Sequence, residues 1–379
     1  MDIIDRNVRD SYTRLEEQMM GKSALLRLPI NGSFELTPLC NMDCKMCYVS
    51  LKSWEMCQKG SLLAKNQWIE IAKEMKEAGT LFLLLTGGEP LTYPDFKEVY
   101  LALREMGFII TINTNGTLID QGWADFFGKY PPRRMNITLY GMDNETYKLQ
   151  CGHEGGFDQV IRGVKLLKER NVAVKLAGTM TPITAEQIDE MYSISDSLEL
   201  PLMCDCYVMG VKRERGCDFD LNSRLSPENA AKVEIETLRK YMLPDVFREY
   251  IYEQKYKVEH YTKTKNVHYM NCAAGKCSFT INWQGMMRPC VTMSKPEFNV
   301  LEDGFMNCWK NICKETDKIV LNEKCLECKL KPICRVCASA AISEEGDYGA
   351  IPEYLCRYAH ALYDLILENA ERLSLGETL

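Results

Sequence analysis

Six short apolar runs recur along the first 210 residues, at 34–37, 81–86, 108–113, 135–139, 172–176 and 200–207, with amphipathic stretches between them. This alternation restricts the fold more than any other feature. In 66–78, Trp68, Ile71, Ala72 and Met75 fall on one helical face, and Gly79 stands where a helix stops. Phe96, Val99, Tyr100, Leu103 and Met106 form a second such stripe before Gly107. Phe157, Val160, Ile161, Val164 and Leu167 form a third. Strands alternating with helices pair in parallel through right-handed crossovers. Six units over roughly 180 residues predict an α/β fold, a partial (β/α)6 TIM-like barrel rather than a closed eightfold one.

The barrel reading covers 33–210. Residues 1–32 read as an N-terminal helical extension, with a charged helix over 5–20 and a turn at 29–32. After 210 the alternation stops. Residues 211–226 are charged and loop-like, and Ser226-Pro227-Glu228 has the form of a helix start. Residues 211–266 read as a helical bridge. Residues 267–379 read as a cysteine-rich domain with few convincing helices, closed by a helix over 352–372.

Cysteine is the compositional outlier, with 18 among 379 residues. Disulfide frameworks belong to small secreted domains. This chain is large, and its first ten residues (MDIIDRNVRD) hold no apolar signal core, so a cytoplasmic location is expected. Thiols acting as metal ligands in a reducing compartment explain the count better. Only His153, His260, His268 and His360 are present, none paired at i, i+4, which argues against a histidine-rich zinc hydrolase. A net charge of −7 without basic runs argues against nucleic-acid binding, and the longest apolar run, 81–85, is far too short to span a membrane.

Two motifs end the first two strands. Cys40-x3-Cys44-x2-Cys47 places three thiolates within eight residues, followed by Tyr48. Three ligands on a four-iron cube leave one iron open; a zinc knuckle with a fourth ligand elsewhere is the alternative. Thr86-Gly87-Gly88-Glu89-Pro90 follows the second strand. Its glycines can expose backbone to a ligand and Glu89 can accept from an ammonium, or the segment is an ordinary strand-to-helix turn. Toward the C-terminus, Cys272-x4-Cys277, Cys290, Cys325-x2-Cys328, Cys334-x2-Cys337 and Cys356 supply enough thiols for two four-cysteine sites.

Together the three-cysteine loop and the GGEP turn resemble the radical S-adenosylmethionine (radical SAM) superfamily over about residues 33–210. The resemblance implies that Cys40, Cys44 and Cys47 hold a 4Fe-4S cluster whose open iron chelates S-adenosylmethionine. It implies that Gly87, Gly88, Glu89 and Pro90 form the turn that binds the methionyl amine, and that Tyr48 lies near the adenine. Reductive cleavage would give a 5′-deoxyadenosyl radical that abstracts hydrogen from the substrate. Asn113-Thr114-Asn115-Gly116 and Thr138-Leu139-Tyr140-Gly141 resemble the family's third- and fourth-strand segments, so Asn115 and Thr138 become cofactor contacts, Thr138 reaching the ribose. Capping of loops by small polar residues is the alternative for both.

The C-terminal cysteines resemble the SPASM extension, which carries two auxiliary clusters. By that resemblance Cys272, Cys277, Cys290 and Cys337 hold one cluster, and Cys325, Cys328, Cys334 and Cys356 the other, giving three 4Fe-4S clusters in all. The gap of two residues from Cys334 to Cys337 departs from the three common there. Of the remaining cysteines (Cys57, Cys151, Cys204, Cys206, Cys217, Cys308, Cys313), most read as small buried hydrophobes. Cys204 and Cys206 share a face at period two. If that face is the barrel interior they line the substrate cavity and become candidate hydrogen-atom donors for an epimerisation.

Enzymes of this kind commonly modify a residue of a ribosomal peptide or a protein, by crosslinking, epimerisation or oxidation. Sulfatase-maturing members carry an Asp after the cysteine matching Cys290; here Val291 stands there. The expected partners are a peptide or protein substrate and an electron donor such as flavodoxin or ferredoxin. Residues 1–32 are too short for a peptide-recognition domain, so a leader peptide is expected either to bind elsewhere on the chain or to be delivered by a separate leader-peptide-binding protein. The alternatives are a dehydrogenase or rearrangement enzyme acting on a small molecule, a sulfatase-maturing type oxidase, which Val291 weakens, and, more remotely, a non-enzymatic iron–sulfur electron carrier or zinc scaffold.

Overall fold

The computed structural model describes residues 14–210, 213, 215, 223–262, 270, 272–334 and 336–377. Six strands, β1 (Asn31–Glu35), β2 (Phe82–Thr86), β3 (Ile109–Thr114), β4 (Arg134–Leu139), β5 (Val174–Thr179) and β6 (Leu202–Asp205), pair in parallel in chain order. This is the expected partial (β/α)6 barrel. Its core follows from strand alternation. Leu83, Leu85, Ile110, Ile112, Met135, Ile137, Leu139 and Leu176 are buried, and they take alternate places along their strands, facing the helices. The helices Lys65–Glu77, Phe96–Glu105 and Gly156–Glu169 answer with the stripes read from the sequence: Trp68, Ile71 and Met75, then Phe96, Val99, Tyr100 and Leu103, then Val160, Val164 and Leu167. The opposite face is mixed, with Phe82, Leu84 and Ile109 of β2 and β3 beside polar residues. Asn31, Ser33, Thr111, Asn113 and Asn136 line an interior cavity of about 220 Å³.

Three places differ from the sequence reading. The first helix, described from Arg14, runs on to Leu26 rather than stopping at 20, while residues 5–13 of the expected helix lie outside the described residues. It ends where Arg27 turns left-handed (φ 55°), just before Leu28-Pro29. β1 starts at Asn31, inside the expected turn, because Asn31 and Ser33 face the interior cavity and carry no apolar signal. Gly32 is needed there, since a Cβ would lie 2.7 Å from the Phe279 ring. Lastly, the cysteine-rich region contains a strongly amphipathic helix, Phe305–Thr316, burying Phe305, Cys308, Trp309 and Ile312. Cys308 of this stripe is buried, as read from the sequence, while the helix itself went unread in a region dominated by cysteine motifs.

The C-terminal region continues the barrel sheet. β7 (Ser278–Ile281) pairs in parallel with the free edge of β1, and β8 (Met286–Arg288) and β9 (Phe298–Asn299) follow antiparallel. The boundary read at 266/267 falls among residues outside the described ones. The closing helix, Glu353–Ser374, packs along the helices Pro227–Tyr241 and Pro244–Glu259. Among the described residues no helix is long and apolar enough to cross a membrane.

Ile137 is fully buried between sheet and helices. Ile137→Ala is expected to lower the unfolding free energy by roughly 2–5 kcal/mol in urea titration, through lost transfer energy and the cavity left behind. A loss well under about 1 kcal/mol would contradict the close packing described.

Candidate functional site

The loop carrying Cys40, Cys44 and Cys47 leaves the C-terminal end of β1, where barrel folds place their chemistry. Its ends are pinned together, the Leu51 N–H donating to the Pro38 carbonyl at 2.9 Å. Inside, the Met42 N–H points at Cys40 Sγ (3.4 Å) and the Ser50 N–H at Cys47 Sγ (3.2 Å), bonds that favour thiolates. The three thiols stand close enough to act on one another electrostatically, and each is pushed up in pKa. Cys40 reaches about 12, mainly through burial, and burial also raises Cys47. Cys44 is raised by contact with the Cys151 thiol and by burial.

The glycine turn after β2 docks on this loop main chain to main chain. The Gly88 N–H donates to the Thr37 carbonyl at 2.7 Å and the Glu89 N–H to the Leu39 carbonyl at 2.8 Å. A Cβ at Gly87 would stand 2.4 Å from the Thr37 oxygen, and one at Gly88 2.4 Å from the Leu39 oxygen. Pro90 opens a buried 3-10 turn, Pro90–Thr92. The Glu89 carboxylate is fully buried. It accepts from the Leu91 N–H (3.1 Å), the Thr114 hydroxyl (2.7 Å) and the Asn115 N–H (2.8 Å). The sequence reading reserved Glu89 for a ligand ammonium; in the structure three protein donors hold it, tying β2 to β3. Burial outweighs these bonds and pushes its pKa up to about 7.

Asn115 joins the third strand to the first loop. Its amide donates to Asn41 Oδ1 at 2.9 Å and to Cys40 Sγ at 3.7 Å. Thr138 lies on the interior face of β4, in line with Asn136, whose amide donates to Asn113 at 2.8 Å. Tyr48 is half-buried, with the Arg213 guanidinium carbon 5.4 Å from its ring centre.

Sequence reasoning missed the brace behind the loop. Helix Asn144–Cys151 is capped by Asp143 and ends at left-handed Gly152. Its last turn receives the Lys45 N–H at the Gln150 carbonyl (3.1 Å) and the Asp43 N–H at the Cys151 carbonyl (2.8 Å). His153 Nδ1 sits 3.2 Å from the Asn41 carbonyl. Tyr140 also reaches Cys44, and Arg215 donates to the Cys44 carbonyl at 2.8 Å. His153 is one of four histidines in the chain, which was the available signal; Cys151 had none, being like any buried cysteine.

Cys204 and Cys206 require a correction. They do not line the interior. Cys204 shares a strand face with buried Leu202, and its Sγ lies with Met191 Cε over Gly178, on the helix side of the sheet. Tyr192 hydrogen-bonds to Cys204, and Cys206 Sγ stands 3.9 Å from the Thr237 hydroxyl. Burial pushes Cys204 up to about 12. Period two gave the shared face but not which side of the sheet it was.

The C-terminal cysteines form two groups. Cys325, Cys328, Cys334 and Cys356 surround one small cavity of about 40 Å³, lined otherwise by apolar side chains and His360. Cys290 acts electrostatically on Cys272, Cys272 on Cys277, and both Cys290 and Cys272 on Cys337. Cys337 thus stands with the earlier cysteines, three residues after Cys334, which stands with the later ones. Among the described residues no three His, Cys, Asp or Glu side chains converge on a single-ion site. All-thiol donor sets, one of three and two of four, suit iron–sulfur clusters.

Residues 34–194 match the model of the radical SAM superfamily. This part of the chain is a radical SAM domain. The chain is 25% identical to an AdoMet-dependent heme synthase of Methanosarcina barkeri, over 86% of this chain and 95% of that protein. It is 22% identical to the sporulation killing factor maturation protein SkfB of Bacillus subtilis, over 78% of this chain and 71% of that protein. The fold superposes on Streptococcus suis SuiB bound to its precursor peptide SuiA with a TM-score of 0.65, at 17% identity, covering 93% of this chain and 83% of SuiB. The radical SAM domain spans the cysteine loop, the glycine turn, Asn115, Thr138 and the brace at 150–153. Both C-terminal thiol groups lie beyond it.

Two expectations follow. Gly88→Ala forces a side chain against the Leu39 and Pro38 carbonyls, so it is expected to displace the cysteine loop and cut iron retained by a variant bearing only Cys40, Cys44 and Cys47 as ligands. Full retention would show that the docking is dispensable. The second concerns pH. The folded Glu89 carboxyl, at about 7, lies above its ordinary 4.5, so the folded state binds the extra proton. Its contribution to stability is complete below about 4.5 and is lost as pH rises through about 7. Glu89→Gln is therefore expected to gain on the wild type in urea midpoint between pH 5 and pH 8. A constant gap would mean that Glu89 is ionised throughout.

Proposed function

We propose that this radical SAM enzyme modifies a residue of a peptide or protein substrate. Cys40, Cys44 and Cys47 hold a 4Fe-4S cluster with S-adenosylmethionine at its open iron, and the two C-terminal thiol groups hold auxiliary 4Fe-4S clusters. When bound, the first cluster and S-adenosylmethionine supply a carbon-centred radical that abstracts hydrogen from the substrate.

The protein's own part is to position and to exclude water. Gly87 and Gly88 fix the ligand-binding turn against the cysteine loop. Glu89 fastens that turn to β3, and Asn115 holds Asn41 and leans on Cys40. Thr138 faces the interior, and its hydroxyl would meet the ribose. The observation that carries the peptide reading is similarity to the SkfB maturation protein along most of the chain, supported by the fold shared with SuiB. An electron donor of the flavodoxin or ferredoxin kind and a separate leader-binding protein complete this reading. The similarity to a heme synthase favours a second one, a tetrapyrrole substrate.

The test is anaerobic turnover with each substrate class, following 5′-deoxyadenosine and product mass together. The peptide reading predicts a change in a short precursor peptide encoded beside the gene, in step with 5′-deoxyadenosine: a mass change for a crosslink or oxidation, and deuterium taken up from deuterated water for an epimerisation. Coupled turnover of a heme-precursor tetrapyrrole, with no change in any peptide, would replace it by the second reading. Reconstituted protein is expected to hold about twelve irons. Changing Cys40, Cys44 and Cys47 together to Ala should abolish 5′-deoxyadenosine while leaving about eight of them. About four irons in the unaltered protein would remove the auxiliary clusters.

A further inference from the structure

Arg213 sits in the charged loop after β6, far in sequence from both cysteine regions, yet it touches both. It is almost wholly buried, its side chain 1% exposed against 2% for its partner Glu35. The pair is bidentate: Nη1 donates to Glu35 Oε1 at 2.8 Å and Nη2 to Oε2 at 2.6 Å. Nη1 also donates to the carbonyl of Val291, the residue after Cys290. The guanidinium lies against the ring of Tyr48, the residue after Cys47. Two residues on, the Arg215 N–H donates to the Tyr48 carbonyl at 3.4 Å, and its side chain holds Asp43 at 2.9 Å.

One planar cation therefore meets the end of β1, the residue following the last ligand of the first thiol group, and the residue following Cys290 of the second. Arginine suits this place, since a fork of fixed donors can serve a carboxylate and a carbonyl at once while its face packs on a ring. A buried charge this close to a ligand residue also acts on the electrostatics of whatever the thiols hold, because the interior screens it poorly.

We propose that Arg213 is a positioning residue that locks the loop after Cys47 to the loop after Cys290 and biases the reduction potential of the cluster at Cys272, Cys277, Cys290 and Cys337. The potential part rests on the cluster reading given above; the mechanical part does not. A cation stabilises the more negative, reduced form and so raises the potential, while the Glu35 carboxylate offsets it.

The test uses reconstituted full-length protein with Arg213→Gln, Arg213→Lys and Glu35→Gln. Hydrogen exchange is expected to quicken about tenfold in Arg213→Gln at both 48–51 and 290–293, and less in Arg213→Lys. The midpoint potential of that cluster, followed by its paramagnetic signal, should fall in Arg213→Gln, stay near the wild type in Arg213→Lys, and rise in Glu35→Gln. General loosening of the fold would move both neutral variants in the same direction, so opposite signs separate the two causes. Unchanged exchange at either segment overturns the lock, and equal or same-signed shifts overturn the electrostatic role. If iron analysis shows no cluster at that thiol group, the cluster reading fails and the electrostatic role with it, while the exchange data still decide the lock.

Discussion

The approach of two main chains, the Gly87-Gly88 turn against Thr37–Leu39, is the contact on which the site depends. Parallel strands end with backbone donors and acceptors that must find partners, and here the ends of β1 and β2 satisfy each other beyond the sheet proper. The contact leaves no room for a Cβ on either glycine. Because it is made by backbone, the cysteine loop inherits its position from the sheet rather than from side-chain rotamers. Glu89 extends the same logic to β3. A carboxylate with three donors and no exposure costs energy to keep charged, and its raised pKa measures that cost. Three adjacent strands are thus fastened around the place where the thiols emerge.

What the sequence made legible follows from which residues advertise themselves. The helix-facing side of each strand is apolar, so strand and helix order could be read directly from Leu83, Ile110, Met135 and their partners. The interior side is mixed, and Asn31 and Ser33 gave no sign that β1 had begun. The first thiol group was legible because its ligands share one loop. Which C-terminal cysteines stand together came from resemblance, since spacing alone would have paired Cys337 with Cys334, whereas the fold sets them in different groups. Cys204 and Cys206 show the limit of periodicity, which fixes a shared face but not the side that face looks toward. The brace at 150–153, whose one signal was His153, and the Arg213 clasp went unread because their partners lie 78 to 178 residues away in the chain.

The fold also explains why the C-terminal region is not an appendage. β7 pairs with β1 along four residues, directly behind the strand that launches the cysteine loop. Phe279 of β7 presses on Gly32 of β1, so the two strands cannot separate without opening the core beneath the first site. Arg213 adds a second tie, at the Glu35 side chain of the same strand. The chain segments that carry the first and second thiol groups are consequently both anchored to β1.

On the cluster reading proposed above, the thiols would couple this architecture to metal. Burial raises Cys40, Cys47, Cys272, Cys277, Cys325, Cys334, Cys337 and Cys356, and Cys44 is raised by Cys151 as well as by burial. A protonated thiol is a poor nucleophile and a poor disulfide former, so groups this dense in cysteine resist cross-pairing while they carry their protons. Metal reverses the preference. Ligation requires the thiolate, so each ligand surrenders a proton as it binds, and the energy of the metal–sulfur bond overcomes the burial that kept it neutral. The N–H groups of Met42 and Ser50, already aimed at Cys40 and Cys47, then face the charged sulfur they are suited to stabilise. The same burial that keeps these thiols protonated would exclude water from a cluster they hold, so a single feature of the fold serves both roles.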